Sequence, residues 1–586
     1  MKSMVNHYSD VSSSVFLYTR RALQLCLVIM LCAFGALNLQ AQGGYGSRPT
    51  APSITNTGAN IIGGSGTYWV VSNGHFTLVS PFAVKAATMD NLTIAAGGSL
   101  TLTPTTCLTV SETLSNNNTS ETGIRVKSDS TGTGSLITAV ATKTGTAVAG
   151  RWLAAGKWNL VSAPITQTVT DFLSFNPAIG TNGTLRAMMD YNPGQSNWNP
   201  FFTTGASDGT LGDGRGFGMH IGPTNAAVTF TGSLQAGILT ATGLTPGAWN
   251  CIGNPYTSAI GINAASSAVN DFLTVNLAAT SNLDPSYGAI YIWEQPDALN
   301  SQPGGYTIIS NVPLSSPAYN IQQGQAFLVR TNTNATSVNF NHDMQLHIPN
   351  LALKAAAISW PVIQLTATVN SQKSTSYLAF NDQMTKGLDP TYDVGMLHTN
   401  APLSVYTRLV EDNGVPFVIQ SLPGSSISTV VIPVGLESTA GGEVVFSAKT
   451  ISLPSDCKVI LEDKATKTFT DLEAGDYKAT VAANSAIADR FLLHTSTKTI
   501  SDLPVQPLLS DLNAFEFQNS EIHIVGKVTA QAVATLYDAL GRIVLSNKLN
   551  EGDLNTIPTP NMSSGIYVLK VVDHGVMHPF KLLITQ

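Results

Sequence analysis

At 586 residues the chain is too long for one hydrophobic core, so several are expected along it. Only 11% of its residues are charged, against a typical ~25%. Its formal net charge of −7 argues against a basic face for nucleic acid or an anionic membrane. Glycine is abundant, and Thr, Ser and Asn crowd the connections between short apolar runs, the pattern of an all-β, turn-rich extracellular protein.

At the N-terminus, Arg20-Arg21 precede an apolar run from Ala22 to Leu37, and Leu39-Gln40-Ala41 ends on a small residue before Gln42. This order predicts a signal peptide over 1–41, cleaved between Ala41 and Gln42. The apolar run is short of the about 20 residues that span a bilayer. No later segment approaches that length, so no transmembrane segment is expected after signal removal. Cys26 and Cys32 would leave with the peptide. Cys107, Cys251 and Cys457 are odd in number and far apart, which argues against a disulfide framework and for small buried apolar residues.

Residues 42–145 form a β-rich region in which Leu92-Thr93-Ile94, Leu100-Thr101-Leu102 and Leu108-Thr109-Val110 recur eight residues apart. Each triplet puts two apolar side chains on one face and Thr on the other. Two architectures fit, a short β-solenoid and a meander of hairpins, and the constant spacing favours the solenoid. Further on, Asp129-Ser130-Thr131 resembles an O-glycosylation sequon of Bacteroidetes.

The next two regions, 146–240 and 241–350, read as an internal duplication of a β-sandwich unit. Trp158-Asn159-Leu160-Val161-Ser162-Ala163-Pro164 returns as Trp249-Asn250-Cys251-Ile252-Gly253-Asn254-Pro255, and Asp171-Phe172-Leu173 returns as Asp271-Phe272-Leu273. Gly214-Arg215-Gly216-Phe217 matches Gly324-Gln325-Ala326-Phe327, and Val228-Thr229-Phe230 matches Val338-Asn339-Phe340. Order is kept while spacing drifts, as duplicated sheets with variable loops would produce. Two similar halves in tandem and one larger sandwich built from both satisfy this pattern equally.

Aromatic residues in these regions raise carbohydrate binding as an alternative function. Trp198 and Trp293 are the candidates for stacking on sugar rings, with Tyr191 and Tyr306 beside them in sequence. Asp190, Glu294 and Asp297 lie near, but nothing holds two acids at the separation that glycoside hydrolysis needs. Equivalent placement of Tyr191 and Trp293 in the two copies points instead to packing. Gly205-Ala206-Ser207-Asp208-Gly209 matches a nucleophile elbow, yet the glycine-rich sequence after it cannot sustain the helix that motif needs. Gly212-Asp213-Gly214-Arg215-Gly216 lacks the third glycine of a dinucleotide loop. His342-Asp343 and His347, read as one extended run, place their imidazoles on opposite faces.

Residues 351–500 read as a further β-sandwich, with strands such as Val362–Val369, Val430–Val434 and Lys458–Glu462 between turn clusters. On one of its loops, Asp389 and Asp393 form a candidate calcium pair, since hard oxygen donors suit that ion. Turn capping is the commoner use of such residues. No catalytic set and no cofactor is expected anywhere in the chain. A Leu- and Pro-bearing link, 501–512, leads into the last region, 513–586.

That region alternates apolar and polar residues through Val533-Ala534-Thr535-Leu536-Tyr537, turns at Asp538-Ala539-Leu540-Gly541 and returns as Arg542-Ile543-Val544-Leu545. Gly565-Ile566-Tyr567-Val568 opens another strand, and Lys581 lies in the last. The motifs Tyr537-Asp538-x-x-Gly541-Arg542, Gly565-Ile566-Tyr567-Val568 and Lys581, in this order, resemble the C-terminal (type A) sorting domain of type IX secretion cargo in Bacteroidetes. The resemblance implies an Ig-like fold, export through the periplasm to the outer-membrane surface or the medium, and recognition by the type IX machinery. It also implies removal by a sortase-like peptidase, with release or attachment to lipopolysaccharide. The body it carries is expected to be a non-catalytic, structural or adhesive surface protein; host or environmental glycans are the alternative partners.

Overall fold

The computed structural model describes residues 53–56, 69–70, 75–78 and, apart from short breaks, 81–497 and 512–584, with side chains from residue 91 onward. The segment expected to be a signal peptide, Ala41 and Gln42, Ser207, Asp297 and the link up to residue 511 lie outside the described residues. Strands dominate throughout, as expected of an all-β chain, and residue contacts divide the protein into two compact units, 1–497 and 498–586.

The first unit opens with parallel strands. Pro81–Ile94 runs beside Ser99–Asn116, which in turn runs beside Ser135–Thr142, setting Leu92 opposite Leu114 and Leu108 opposite Leu136. Parallel neighbours require crossover connections, which hairpins cannot supply, so this region is a stack of coils. The eight-residue beat is not the rung. Leu100 and Leu108 lie on one strand that turns at Thr105, where φ is 68°. The beat marks successive inward faces of a single coil, and all six Leu, Ile and Val residues of the triplets are buried.

The region boundary expected at 145 is absent. Ala147–Leu153 pairs in parallel with Ile124–Val126 and antiparallel with Ala226–Leu234, so the coil stack and the first lobe share a sheet. An open sheet edge exposes unpaired backbone groups, and this strand covers it. A second tie is His347, whose Nε2 meets Thr109 Oγ1 at 2.8 Å and whose Nδ1 meets Ser135 Oγ at 2.7 Å. Its segment also departs from a single extended run, because His342–Met344 forms a 3-10 turn.

Burial pushes the His347 imidazole down to about 4. In the unfolded chain it titrates near 6.5, so folding releases a proton between those values. Stability is therefore full above pH 6.5 and declines as pH falls toward 4, by about 2–3 kcal/mol at pH 4.5. Denaturation at pH 7 and 4.5 should show a smaller acid loss in His347→Gln than in the wild type. Equal losses in the two proteins would discard His347 as the source.

The two lobes have sheets of the same strand order. Trp158–Ser162 pairs with Gly216–His220, then Met188–Asn192, then Asn197–Trp198; Trp249–Gly253 pairs with Ala326–Arg330, then Ile290–Glu294, then Gly305–Ile309. They meet through reciprocal contacts. Ser162 N donates to Gly324 O at 3.2 Å, and Gly253 N donates to Gly214 O at 2.9 Å. Val161 bridges Gln325, and Ile252 bridges Arg215. Each contact has a counterpart with the lobes exchanged, the pattern of an isologous interface. The lobes approach so closely that a Cβ on Gly253 would lie 2.5 Å from Ser162 Cβ.

Inside each lobe one asparagine staples a helical turn to a strand. Val169–Phe175 begins at Thr168, whose side chain caps Asp171 N. Near its end the buried Asn176 donates to Phe172 O and Thr229 O at 2.8 and 2.9 Å, and accepts from Thr229 N at 2.8 Å. The second lobe repeats this with Asn276, which donates to Phe272 O and Asn339 O at 3.0 and 2.9 Å and accepts from Asn339 N at 2.8 Å. The helical rings follow suit: Phe172 stacks on Phe230 at 4.9 Å, and Phe272 packs on Phe340 at 5.4 Å.

From Val362 to Ser496 the chain forms an 11-stranded sheet that folds around a core including Leu365, Phe380, Leu436, Phe446 and Phe491. This sandwich is joined to the second lobe as well. Tyr291 Oη donates to Gly395 O at 2.6 Å, and Tyr287 bridges Val394. Shared sheets and shared side chains thus fuse the regions expected at 42–145, 146–240, 241–350 and 351–500 into one unit.

The second unit is a small sandwich. One sheet holds Asn513–Phe517, Glu521–Val528 and Gly552–Pro558; the other holds Ile543–Lys548, Val533–Tyr537, Gly565–Asp573 and Val576–Ile584. Ile522, Ile524, Leu536, Leu569 and Val571 fill the space between them.

Candidate functional site

The turn after Tyr537 is built by its own side chains. Gly541 sits at φ 80°, and its N–H donates to Asp538 O at 3.0 Å. The Asp538 carboxylate accepts from Arg542 N at 2.9 Å and from Arg542 Nε at 2.7 Å. A glycine is needed where φ is positive, and the aspartate closes the loop that the arginine leaves. Beyond the turn, Tyr537 stands opposite Val568, and Val568 stands opposite Lys581, so one cross-strand row carries residues from all three motifs. Lys570 Nζ lies 5.0 Å from the Tyr537 ring centre. Gly565 and Ile566 open the strand, with Tyr567 Oη donating to Ser563 O at 3.0 Å.

This sheet is apolar on its outer side too. Ile566 and Leu583 are cross-strand partners that remain 49% and 63% exposed, and Val533, Ile543, Val572 and Met577 are exposed as well. Sequence reading placed the motifs but missed this face. The signal was present, since Ile566-Tyr567-Val568-Leu569 has no polar member to mark a solvent side.

In the first unit, four aromatic residues form two matching pairs. Tyr191 is the strand partner of Trp198, and Trp293 is the strand partner of Tyr306. Both pairs are edge-to-face with ring centres 5.3 Å apart. Tyr306 is also held by a side-chain hydrogen bond to Trp198, and burial pushes its hydroxyl well up. The two candidate sugar platforms therefore have different settings. Trp198 packs over Gly218 and within the quartet, where a Cβ on that glycine would lie 3.3 Å from its ring. Trp293 borders open space, with a shielded indole N–H that has no partner among the described residues.

That space is a cleft of about 760 Å³ between the Ile290–Glu294 and Gly305–Ile309 strands and the sandwich. Trp293, Tyr306 and Tyr377 supply rings, Gln364 and Gln372 supply carboxamides, and Lys373 is the one charged residue on its described wall. Among the described residues no carboxylate lines it. Glu294 instead accepts from Thr307 Oγ1 at 2.7 Å, and Asp190 accepts from Asn199 Nδ2 at 3.0 Å. These acids are tied to their own sheets and do not converge.

The Asp389 and Asp393 pair is a turn anchor, which differs from the calcium reading. Asp393 is fully buried and accepts from Asp389 N and Ser421 N, each at 2.6 Å. Asp389 accepts from Thr385 N at 2.6 Å and from Thr385 Oγ1 at 3.2 Å. Oxygens already facing N–H donors suit turn closure, and not a cation cage. Burial pushes the Asp393 carboxyl up to about 7, while its amide partners pull it down. Among the described residues no group of three His, Cys, Asp or Glu side chains is placed to hold a metal ion.

The remaining candidates are structural. Cys107, Cys251 and Cys457 are free, the first two half-buried and the third buried. Burial pushes all three thiols up, away from reactive thiolate. Asp129 accepts from Thr131 N at 2.8 Å in an exposed turn that presents Ser130.

Residues 68–494 match the family described as Domain of unknown function (DUF8693). Residues 518–585 match the Secretion system C-terminal sorting domain, a span that includes all three C-terminal motifs. No curated protein matches the chain. A solved structure titled "Biofilm associated protein - BSP domain" aligns with 75% of this chain and 92% of its own at 9% identity, with a TM-score of 0.12, too low to bear on the fold.

Proposed function

The chain belongs to the DUF8693 family and is a type IX secretion cargo, and from that premise we propose a non-catalytic body with a structural or adhesive role. The sorting domain sends the protein to the cell surface or the extracellular space. The observation that carries the reading is the use of polar and aromatic groups inside the framework. Asn176, Asn276 and Asp393 hold backbone, the aromatic quartet packs one lobe against the other, and the cleft has no acid pair among its described residues. A rigid β framework that spends its functional groups on itself suits a surface scaffold.

Finer steps belong to the same proposal. The signal peptide is removed after Ala41, a sortase-like peptidase cuts within the link before residue 513, and the product is released or joined to lipopolysaccharide. The two lobes descend from one duplicated unit, a reading supported by their reciprocal contacts. Carbohydrate binding is the second reading, and the Trp293-bordered cleft favours it.

Adhesion of wild-type and gene-deleted cells to surfaces and to one another tests the role, alongside turnover assays on the mature protein with glycan, ester and peptide substrates. Loss of adhesion without turnover is the expected result. Turnover at a defined pocket, or unchanged adhesion with an unchanged surface layer, would overturn it.

A further inference from the structure

We propose that the cleft under Trp293 binds an acidic carbohydrate, a glycan segment bearing a uronate or similar sugar carboxylate. The proposal rests on the adhesive reading and names its ligand class. At about 760 Å³ the cleft lies within the roughly 300–1,000 Å³ range of small-ligand sites. Its wall joins aromatic rings to hydrogen-bonding groups, as a sugar requires with its apolar C–H faces and hydroxyl rim. Trp293, Tyr306 and Tyr377 are half-buried and offer ring surface.

The polar side has free capacity. Among the described residues no hydrogen bond occupies the carboxamides of Gln364 and Gln372, and each amide can both donate and accept. Ser374 Oγ accepts from Val405 N at 2.9 Å, which leaves its own proton to give.

Charge selects the ligand. Lys373 is exposed, lines the cleft, and has no carboxylate partner among the described residues. An ammonium with no acid beside it among the described residues, in a chain of net charge −7, is set against the average field of the protein. It favours an anion and disfavours a cationic peptide. One ammonium is also too few for a nucleic acid, whose binding scales with the phosphates neutralised.

The test uses the full exported protein and calorimetry with tetragalacturonate, a hyaluronan hexasaccharide and an alginate tetramer. Fully methyl-esterified tetragalacturonate serves as the neutral control, and tetraglutamate as the anion without sugar. At least one uronate oligomer should bind and change tryptophan fluorescence. Lys373→Gln, at an exposed strand position, should weaken binding about tenfold or more without changing Tm, as loss of a charge-assisted contact does. Trp293→Ala should abolish it.

Absence of uronate binding, equal binding of the ester or of tetraglutamate, or full affinity in Lys373→Gln would overturn the proposal. Any of these beside adhesion lost on gene deletion would sink the ligand class and leave the adhesive reading standing. Glycan binding with no adhesion defect would do the reverse.

Discussion

A chain lacking residues 505–586 is expected to remain inside the cell, with none reaching the surface or the medium. The reason is separability. The tail forms its own compact unit with its own core, and the motifs share one sheet face that a truncated chain no longer presents. Gly541→Val should act in the same direction from within the intact chain. At φ 80° a residue with a Cβ costs roughly 1–2 kcal/mol, and a β-branched one more. A sandwich this small has a narrow margin for such losses. Fractionation and immunodetection of both variants give the readout. Surface delivery of the truncated form would mean the address lies elsewhere, and wild-type delivery of Gly541→Val would mean the turn does not matter to recognition.

The largest loss of stability is expected at Asn276. Its carboxamide is fully buried and serves Phe272 O, Asn339 O and Asn339 N at once. Leucine is close in size and cannot hydrogen-bond, so Asn276→Leu leaves Asn339 N and Asn339 O dry and unpaired, while Phe272 O keeps the Val275 N–H. At about 1–3 kcal/mol for each such group, the cost is roughly 2–6 kcal/mol. That is a large share of a typical stability of about 5–15 kcal/mol. Urea denaturation of the purified proteins measures this. A change below ~1 kcal/mol in Asn276→Leu would show that water or rearranged backbone replaces the staple.

The asparagine pair marks a limit of what the sequence displays. Asp171-Phe172-Leu173 and Asp271-Phe272-Leu273 match openly, whereas Asn176 and Asn276, at the same offset in both, carry no sign of their role. Periodicity identifies apolar faces, whereas a buried polar staple breaks no pattern. The aromatic quartet was half legible. Equivalent positions of Tyr191 and Trp293 suggested packing, but Trp198 and Trp293 look alike in sequence and differ in space. One is enclosed by the opposite pair, and the other borders the cleft, because a third element, the Val362–Ser496 sandwich, stands beside only one lobe.

Asp389 and Asp393 carry the same lesson for chemistry. Two carboxylates four residues apart describe a cation loop and an anchored turn equally well until the partners of their oxygens are known. Here those partners are N–H donors, and one of them, Ser421 N, comes from a distant strand.

By itself the sequence determined the all-β class, the position and type of the sorting tail, and the correspondence between the two lobes. These follow from local alternation, turn chemistry and motif order, which need only neighbouring residues. Tertiary structure alone decided that coils, lobes and sandwich form one unit, that the lobes grip each other reciprocally at Gly214, Gly253 and Gly324, and that a cleft opens beside Trp293. Those outcomes depend on which distant strands pair and how closely their backbones approach, and pairing across a hundred residues leaves no periodic trace in the chain.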